Sequence, residues 1–198
     1  MKKLILAAAL LSPALALADA TPYKIDGAHT HSSFTVRHLV ISNVRGEFAK
    51  TEGVVAIDDA DLAKSKVEAT IDVASIDTRE PKRDEHLKSA DFFDTAKFPT
   101  MTFKSTKVEK AGEGKLKVTG NLTLKGVTKP VVLDVLGPTK EIKDPWGNVK
   151  RGISASTKIN RKEFGMTWGG VIEAGPVVGD EVAIEIEAEL TKDVPAKK

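Results

Sequence analysis

Four histidines, a few arginines with carboxylates at useful spacing, and an uneven set of aromatic residues are what this chain offers for chemistry. His29 and His31 lie two apart, so on a strand they share a side and could form half of a metal site. The chain has no cysteine and shows no third ligand, so a solvated strand start is the better reading. His38 has the parity of Phe34 and Val36. It is either a hydrogen-bonded core histidine or a polar contact for a ligand head group, and both readings stay open. His86 stands among acidic residues and is expected in a surface ion pair. Arg161 keeps the inward parity of Ile159, which calls for a partner; Asp84 or Asp91 would make a bidentate pair pinning one segment to another. Arg83 and Asp84 could then mark a cavity rim. There is no G-x-S-x-G, no glycine-rich phosphate loop and no H-E-x-x-H, so no catalytic residue, metal or cofactor is expected.

The elements that must position these residues read as strands. Apolar residues alternate with polar ones through Phe34–Val36, Val67–Val73, Met101–Phe103, Leu116–Leu124, Val131–Val135, Ile153–Ile159 and Val182–Leu190. Each run is the signature of a half-buried strand. Runs near 31–38, 44–58, 65–74, 99–110, 115–124, 127–137, 149–161 and 180–192 predict about eight strands. Lys125-Gly126 reads as a tight hairpin, Gly112–Gly114 as another turn, and Asp144–Asn148 as a polar loop. Short connections force antiparallel neighbours. Long strands interrupted by Gly46, Gly53 and Gly120, where bends are expected, favour a closed barrel over a sandwich. The fold class expected is all-β, an eight-stranded antiparallel barrel with one short helical insert.

That insert lies within Thr78–Ser105. Leu87, Ala90, Asp91 and Asp94 have helical spacing, and Pro81 suits a first helical turn. Phe92 and Phe93 are expected to point different ways, one onto strands. With Phe98 and Phe103 they crowd into a short stretch, and Phe164, Met166 and Trp168 form a later period-two run. Any one of these is ordinary core. Together they exceed what a barrel filled by Val, Ile and Leu needs, and an apolar ligand cavity is lined this way. The candidate ligand-binding residues are Phe34, Val36, His38, Ile71, Phe92, Phe93, Met101, Phe103, Leu122, Leu133, Arg161, Phe164, Met166 and Trp168.

Residues 1–20 read as a secretory leader: a charged MKK start, an apolar stretch, and small-x-small sites for cleavage after Ala18 or Ala20. The domain then spans 21–192, with a frayed tail at 193–198. A formal charge of +2, with Lys2 and Lys3 in the leader, leaves the remainder near neutral and argues against nucleic acid as a partner.

Several motifs together resemble one family. They are His31-Ser32 before Phe34-Thr35-Val36-Arg37-His38, Gly46-Glu47-Phe48, Ser75–Thr78, Arg83–Pro99 (RDEHLKSADFFDTAKFP), GNLTLKGVTKPV, and Ile159-Asn160-Arg161 before Phe164-Gly165. The chain resembles the YceI family of exported, lipocalin-like proteins over essentially its whole length past the leader. His29, giving H-x-H, is a small departure from the family pattern. The resemblance implies a barrel holding a long amphiphile, such as a polyisoprenoid quinone or a fatty acid or amide. It also implies periplasmic location, frequent dimers and no enzyme activity. Two rivals remain: a barrel-shaped isomerase or hydrolase using His38 with Arg161 or a carboxylate, and a filled β-domain serving as a protein-interaction module.

Overall fold

The computed structural model describes residues 20–193. The expected leader, apart from Ala20, lies outside the described residues, as does the expected cleavage site after Ala18. Thirteen strands and one α-helix are formed among the described residues. The strands are β1 (Thr21–His38), β2 (Ser42–Phe48), β3 (Thr51–Ile57), β4 (Lys66–Asp72), β5 (Ile76–Asp77), β6 (Thr100–Gly112) and β7 (Lys115–Leu124). They continue with β8 (Val127–Leu136), β9 (Ile142–Lys143), β10 (Val149–Asn160), β11 (Val171–Ile172), β12 (Gly175–Pro176) and β13 (Val178–Lys192). The helix is α1 (Pro81–Lys88).

Eight strands close an antiparallel barrel in the order β1, β3, β4, β6, β7, β8, β10, β13, with β13 pairing back onto β1. The inward parity read from the sequence for seven of them holds, β3 being the strand without such a reading, because a strand with one wet face tolerates no other register. The run expected over 44–58 is two strands, not one. The chain breaks at Ala49-Lys50, where Ala49 N–H donates to the Ser75 carbonyl and Lys50 N–H to Ser75 Oγ. β2 then pairs with the upper half of β1, and β3 with its lower half. The Lys125-Gly126 hairpin forms as expected, with Leu124 opposite Val127 and both turn residues at positive φ.

The helix also departs from expectation. It covers PKRDEHLK and stops before Ala90. Glu80 caps its start, Pro81 occupies the first turn, and Ser89 ends it by turning its N–H and hydroxyl onto the His86 carbonyl. SADFFD therefore forms turns, closed by Asp94 at positive φ. Nor are Phe164, Met166 and Trp168 a strand: Arg161–Phe164 is a 3₁₀ turn ended by Gly165 in the left-handed region.

The barrel has two unlike ends. At the floor, where β1 begins, Tyr23, Val55, Ile57 and Leu190 pack together. At the mouth, where β1 ends, the insert and residues 161–178 lie over the strands. Between β8 and β10 the ladder is short, running from Ser154 opposite Leu136 to Ser156 opposite Asp134. Towards the mouth Thr157 Oγ1 donates to the Val132 carbonyl instead, and Pro130 has no N–H to offer. Asp193, placed in the tail on sequence grounds, is held by its N–H on the Pro22 carbonyl at 2.9 Å; the rest of the tail lies outside the described residues.

Candidate functional site

Two cavities lie end to end inside the barrel, about 250 Å³ at the mouth and about 170 Å³ towards the floor. They share wall residues, among them Ile71, Met101, Leu124, Ile159 and Ile184, so they form one tube with a waist. The walls are aliphatic and aromatic because the inward parity of eight strands is. Two glycines make room. A Cβ at Gly46 would stand 2.6 Å from Phe34, and one at Gly120 2.4 Å from Phe103. Both phenylalanines therefore lie flat against the opposing strand.

The insert is fastened at its start. Thr78, buried, donates from its N–H (2.9 Å) and hydroxyl (2.5 Å) to Asp84, and Arg83 donates to Thr78 Oγ1 and to its carbonyl, both at 2.8 Å. Beyond the helix, aromatic contacts take over. Phe93 meets Phe48 edge-on at 5.8 Å, and Phe48 meets Phe34 at 5.7 Å. Phe92 meets His86 at 5.1 Å and Trp168 at 5.2 Å, with His86 edge-on to Trp168 at 4.8 Å. Both phenylalanines line the mouth cavity, so the expected division between them is of partners, not of faces. His86 Nε2 lies 2.9 Å from Asp91, the acidic neighbour expected of it, yet its ring also belongs to the cavity wall.

Arg161 does not pair with Asp84 or Asp91. It is buried and wraps four carbonyls: Gly179 (2.8 Å), Met166 (2.6 Å), Trp168 (2.7 Å) and Val178 (3.2 Å). Asp180 lies 3.5 Å away. The 3₁₀ turn points the guanidinium along the loop over the mouth, away from α1. Burial pulls its pKa down and Asp180 opposes this. Lys125 does what Arg161 was expected to do. From the hairpin tip its ammonium reaches the Ala90 carbonyl at 2.8 Å and the Gly165 carbonyl at 3.3 Å, tying insert to loop.

The floor is sealed by charge over an apolar plug. Tyr23 OH donates to Glu141, and Arg151 donates to Tyr23 OH at 3.1 Å and to Asp59 at 2.7 Å. The Arg151 guanidinium lies 5.4 Å from the Tyr23 ring centre. Burial and the bond to Glu141 raise the Tyr23 pKa, and the same bond, with Lys192, lowers that of Glu141. No Asp or Glu lines either cavity.

The YceI-like domain profile matches residues 23–190. The chain belongs to the YceI family. A UPF0312 protein of Vibrio cholerae is 40% identical over 192 residues, covering 93% of this chain and 98% of that protein. The crystal structure of the Campylobacter jejuni YceI protein superposes with a TM-score of 0.68 at 38% identity, over 80% of this chain and 90% of that one. A polyisoprenoid-binding domain from Saccharophagus degradans shares the fold at a TM-score of 0.63 and 16% identity, over 86% of this chain and 98% of that domain.

In this YceI barrel Phe34, Val36, His38, Phe92, Phe93, Arg161, Met166 and Trp168 line the mouth cavity. Phe103, Leu122 and Leu133 line the inner one, and Ile71 and Met101 the waist. Phe164 is buried in the core cluster behind the wall and reaches neither cavity. Sequence reading passed over Phe48, Leu87, Val44 and Lys125. Phe48 carried a signal as one of the chain's seven phenylalanines and Leu87 as the apolar member of the helical spacing; Lys125 carried none, since it bonds to carbonyls. His29 and His31 are exposed on the outer face. Asp26 and Glu189 cluster with His29, but the Lys150 ammonium sits between the carboxylates at 2.7 and 2.8 Å and neutralises the group as a metal would. Among the described residues no helix is long and apolar enough to cross a membrane.

Proposed function

We propose that the barrel binds one long-chain amphiphile, a polyisoprenoid or acyl lipid, with its tail in the tube and its head at the mouth, as a periplasmic carrier or store. The observation that carries this reading is the blind apolar tube with its arginines and histidines gathered at one end. Each methylene taken from water contributes about 0.8 kcal/mol. A chain of about sixteen carbons would gain roughly 13 kcal/mol gross, less the cost of immobilising it. Around the mouth, Arg83 and Arg161 are already committed to Thr78 and to carbonyls, and His86 to Asp91. His38 is the wall residue left to meet a head group. The description of the Saccharophagus degradans domain as polyisoprenoid-binding supports the ligand class.

An acid–base reaction finds little support in this wall. His38 has no carboxylate beside it there, and Arg161 is spent on the loop. The test is organic extraction of protein purified without detergent, followed by mass spectrometry. A stoichiometric lipid is expected. A clean extract, with no uptake of added isoprenoid or acyl chain, would sink the proposal.

A further inference from the structure

Two hairpin tips stand outside the mouth, and their sequences are unusual for turns. The first joins β1 to β2 through Leu39, Val40 and Ile41. Leu39 and Val40 have φ of +50° and +65°, in a turn where Asn and Gly are the usual residues. A β-branched residue in that region is strained. Such strain persists only where the surrounding structure enforces it, and it clusters at functional sites. Ile41 is 76% exposed. The second tip joins β11 to β12 and raises Val171, 83% exposed, beside Ile172. The two tips touch: Leu39 N–H donates to the Val177 carbonyl at 2.9 Å, and a Cβ at Gly175 would stand 3.0 Å from Val40. Their exposed aliphatic side chains thus form one lip, continuous through Trp168 and Val177 with the tube wall.

Charge flanks this lip. Arg37 and Arg45 project from the outer face of the first hairpin. Arg37 donates to the Val40 carbonyl and to Asn43, and neither arginine meets a carboxylate among the described residues. Aliphatic tips with guanidinium groups just behind them match the layering of a bilayer surface, hydrocarbon beneath phosphate. Glu173, at the turn of the second tip, is the group that would oppose anionic lipid.

We propose that this lip docks the barrel on an anionic phospholipid bilayer, placing the mouth against the membrane so that a lipid tail passes between bilayer and tube without crossing water. The proposal rests on the tube being a lipid site. The occupant is a lipid surface rather than a second copy, because the lip offers the two arginines of another copy only one carboxylate, Glu173.

The test uses vesicles of phosphatidylcholine with and without phosphatidylglycerol, and a fluorescent acyl chain delivered separately from cyclodextrin. Wild type is expected to float with the phosphatidylglycerol vesicles. Combining Ile41→Ser with Val171→Ser should weaken that binding about tenfold or more, and slow uptake from vesicles, while leaving uptake from cyclodextrin unchanged. Arg45→Gln should reduce the preference for phosphatidylglycerol, and Glu173→Gln should raise it. Wild type that loads from cyclodextrin but ignores vesicles overturns the docking proposal and leaves the binding function standing. Loading from neither source removes both. A lip variant that turns a dimer into a monomer with vesicle binding unchanged assigns the lip to contact between copies, and the membrane proposal falls.

Discussion

At the floor, Tyr23 and Leu190 are fully buried, and Arg151, Glu141, Asp59 and Lys192 close over them from four separate parts of the chain. At the mouth the loop is as firmly held, with Phe164 and Met166 buried and Arg161 on four carbonyls, but the insert is not. The insert is bonded to itself at Thr78, leans on aromatic edges, and is tied across to the loop by Lys125. Long-range charge pairs hold one end shut, whereas aromatic edges and a single ammonium hold the insert over the other. The floor should therefore govern stability and the mouth exchange, and each can be tested against the other.

The largest effect is expected at the floor. Arg151→Ala strips the guanidinium from Tyr23 and Asp59 and should cost about 3 kcal/mol, read as a lower unfolding midpoint. The ligand off-rate of the folded variant should stay near that of wild type. Next comes Phe93→Ala, which removes wall and cover together. It should shorten ligand residence about tenfold, equivalent to about 1.4 kcal/mol, with a smaller loss of stability than at the floor. Phe92→Ala, which uncouples His86 and Trp168, should behave alike. If both phenylalanine variants lose stability but keep the wild-type off-rate, the insert is a core plug and the contrast between the ends collapses.

Lys125→Met tests the clasp alone. Two hydrogen bonds to carbonyls are lost at an accessible site, so stability should fall by about 1 kcal/mol while exchange quickens severalfold. The smallest effect lies outside the floor. The Lys150 bond, with help from His29 and Ala28, holds the Asp26 carboxyl down at about 2 against a usual 3.8. Its contribution is complete above pH 3.8 and disappears as pH falls through about 2. Screening keeps it within about 1 kcal/mol. Lys150→Met should accordingly melt lower than wild type at neutral pH, with the difference closing in strong acid.

The barrel was legible because each strand has one buried face, and period two survives bulges and bends. The floor was not. Arg151 stands in the parity of Ile153 and Ile159, and its partner Tyr23 is 128 residues away. Arg161 was noticed as odd but given the wrong partners, since backbone carbonyls leave no mark in a sequence. In the insert, Pro81 marks the first helical turn in the sequence and does begin the helix, but apolar spacing over HLKSADFFD extends it past Lys88, where Ser89 ends it. Phe92 and Phe93 ended up in turns for that reason. Of the wall residues, those on strands followed from parity. Phe164 lies behind the wall because its segment is a 3₁₀ turn, where strand alternation does not set the direction of a side chain.

The sealed floor makes the tube a cul-de-sac. A chain sliding in acts as a piston, and whatever lies ahead of it has to come back past it. Water would be the obstacle, and the inner wall gives water little to hold. Ser32 is bonded to Thr51, Thr30 to the Asp26 carbonyl, Thr157 to the Val132 carbonyl, and Ser65 accepts the Asp58 N–H. An apolar chamber whose inward hydroxyls are mostly engaged offers water few partners. The incoming chain then has only weakly held water to drive back past it.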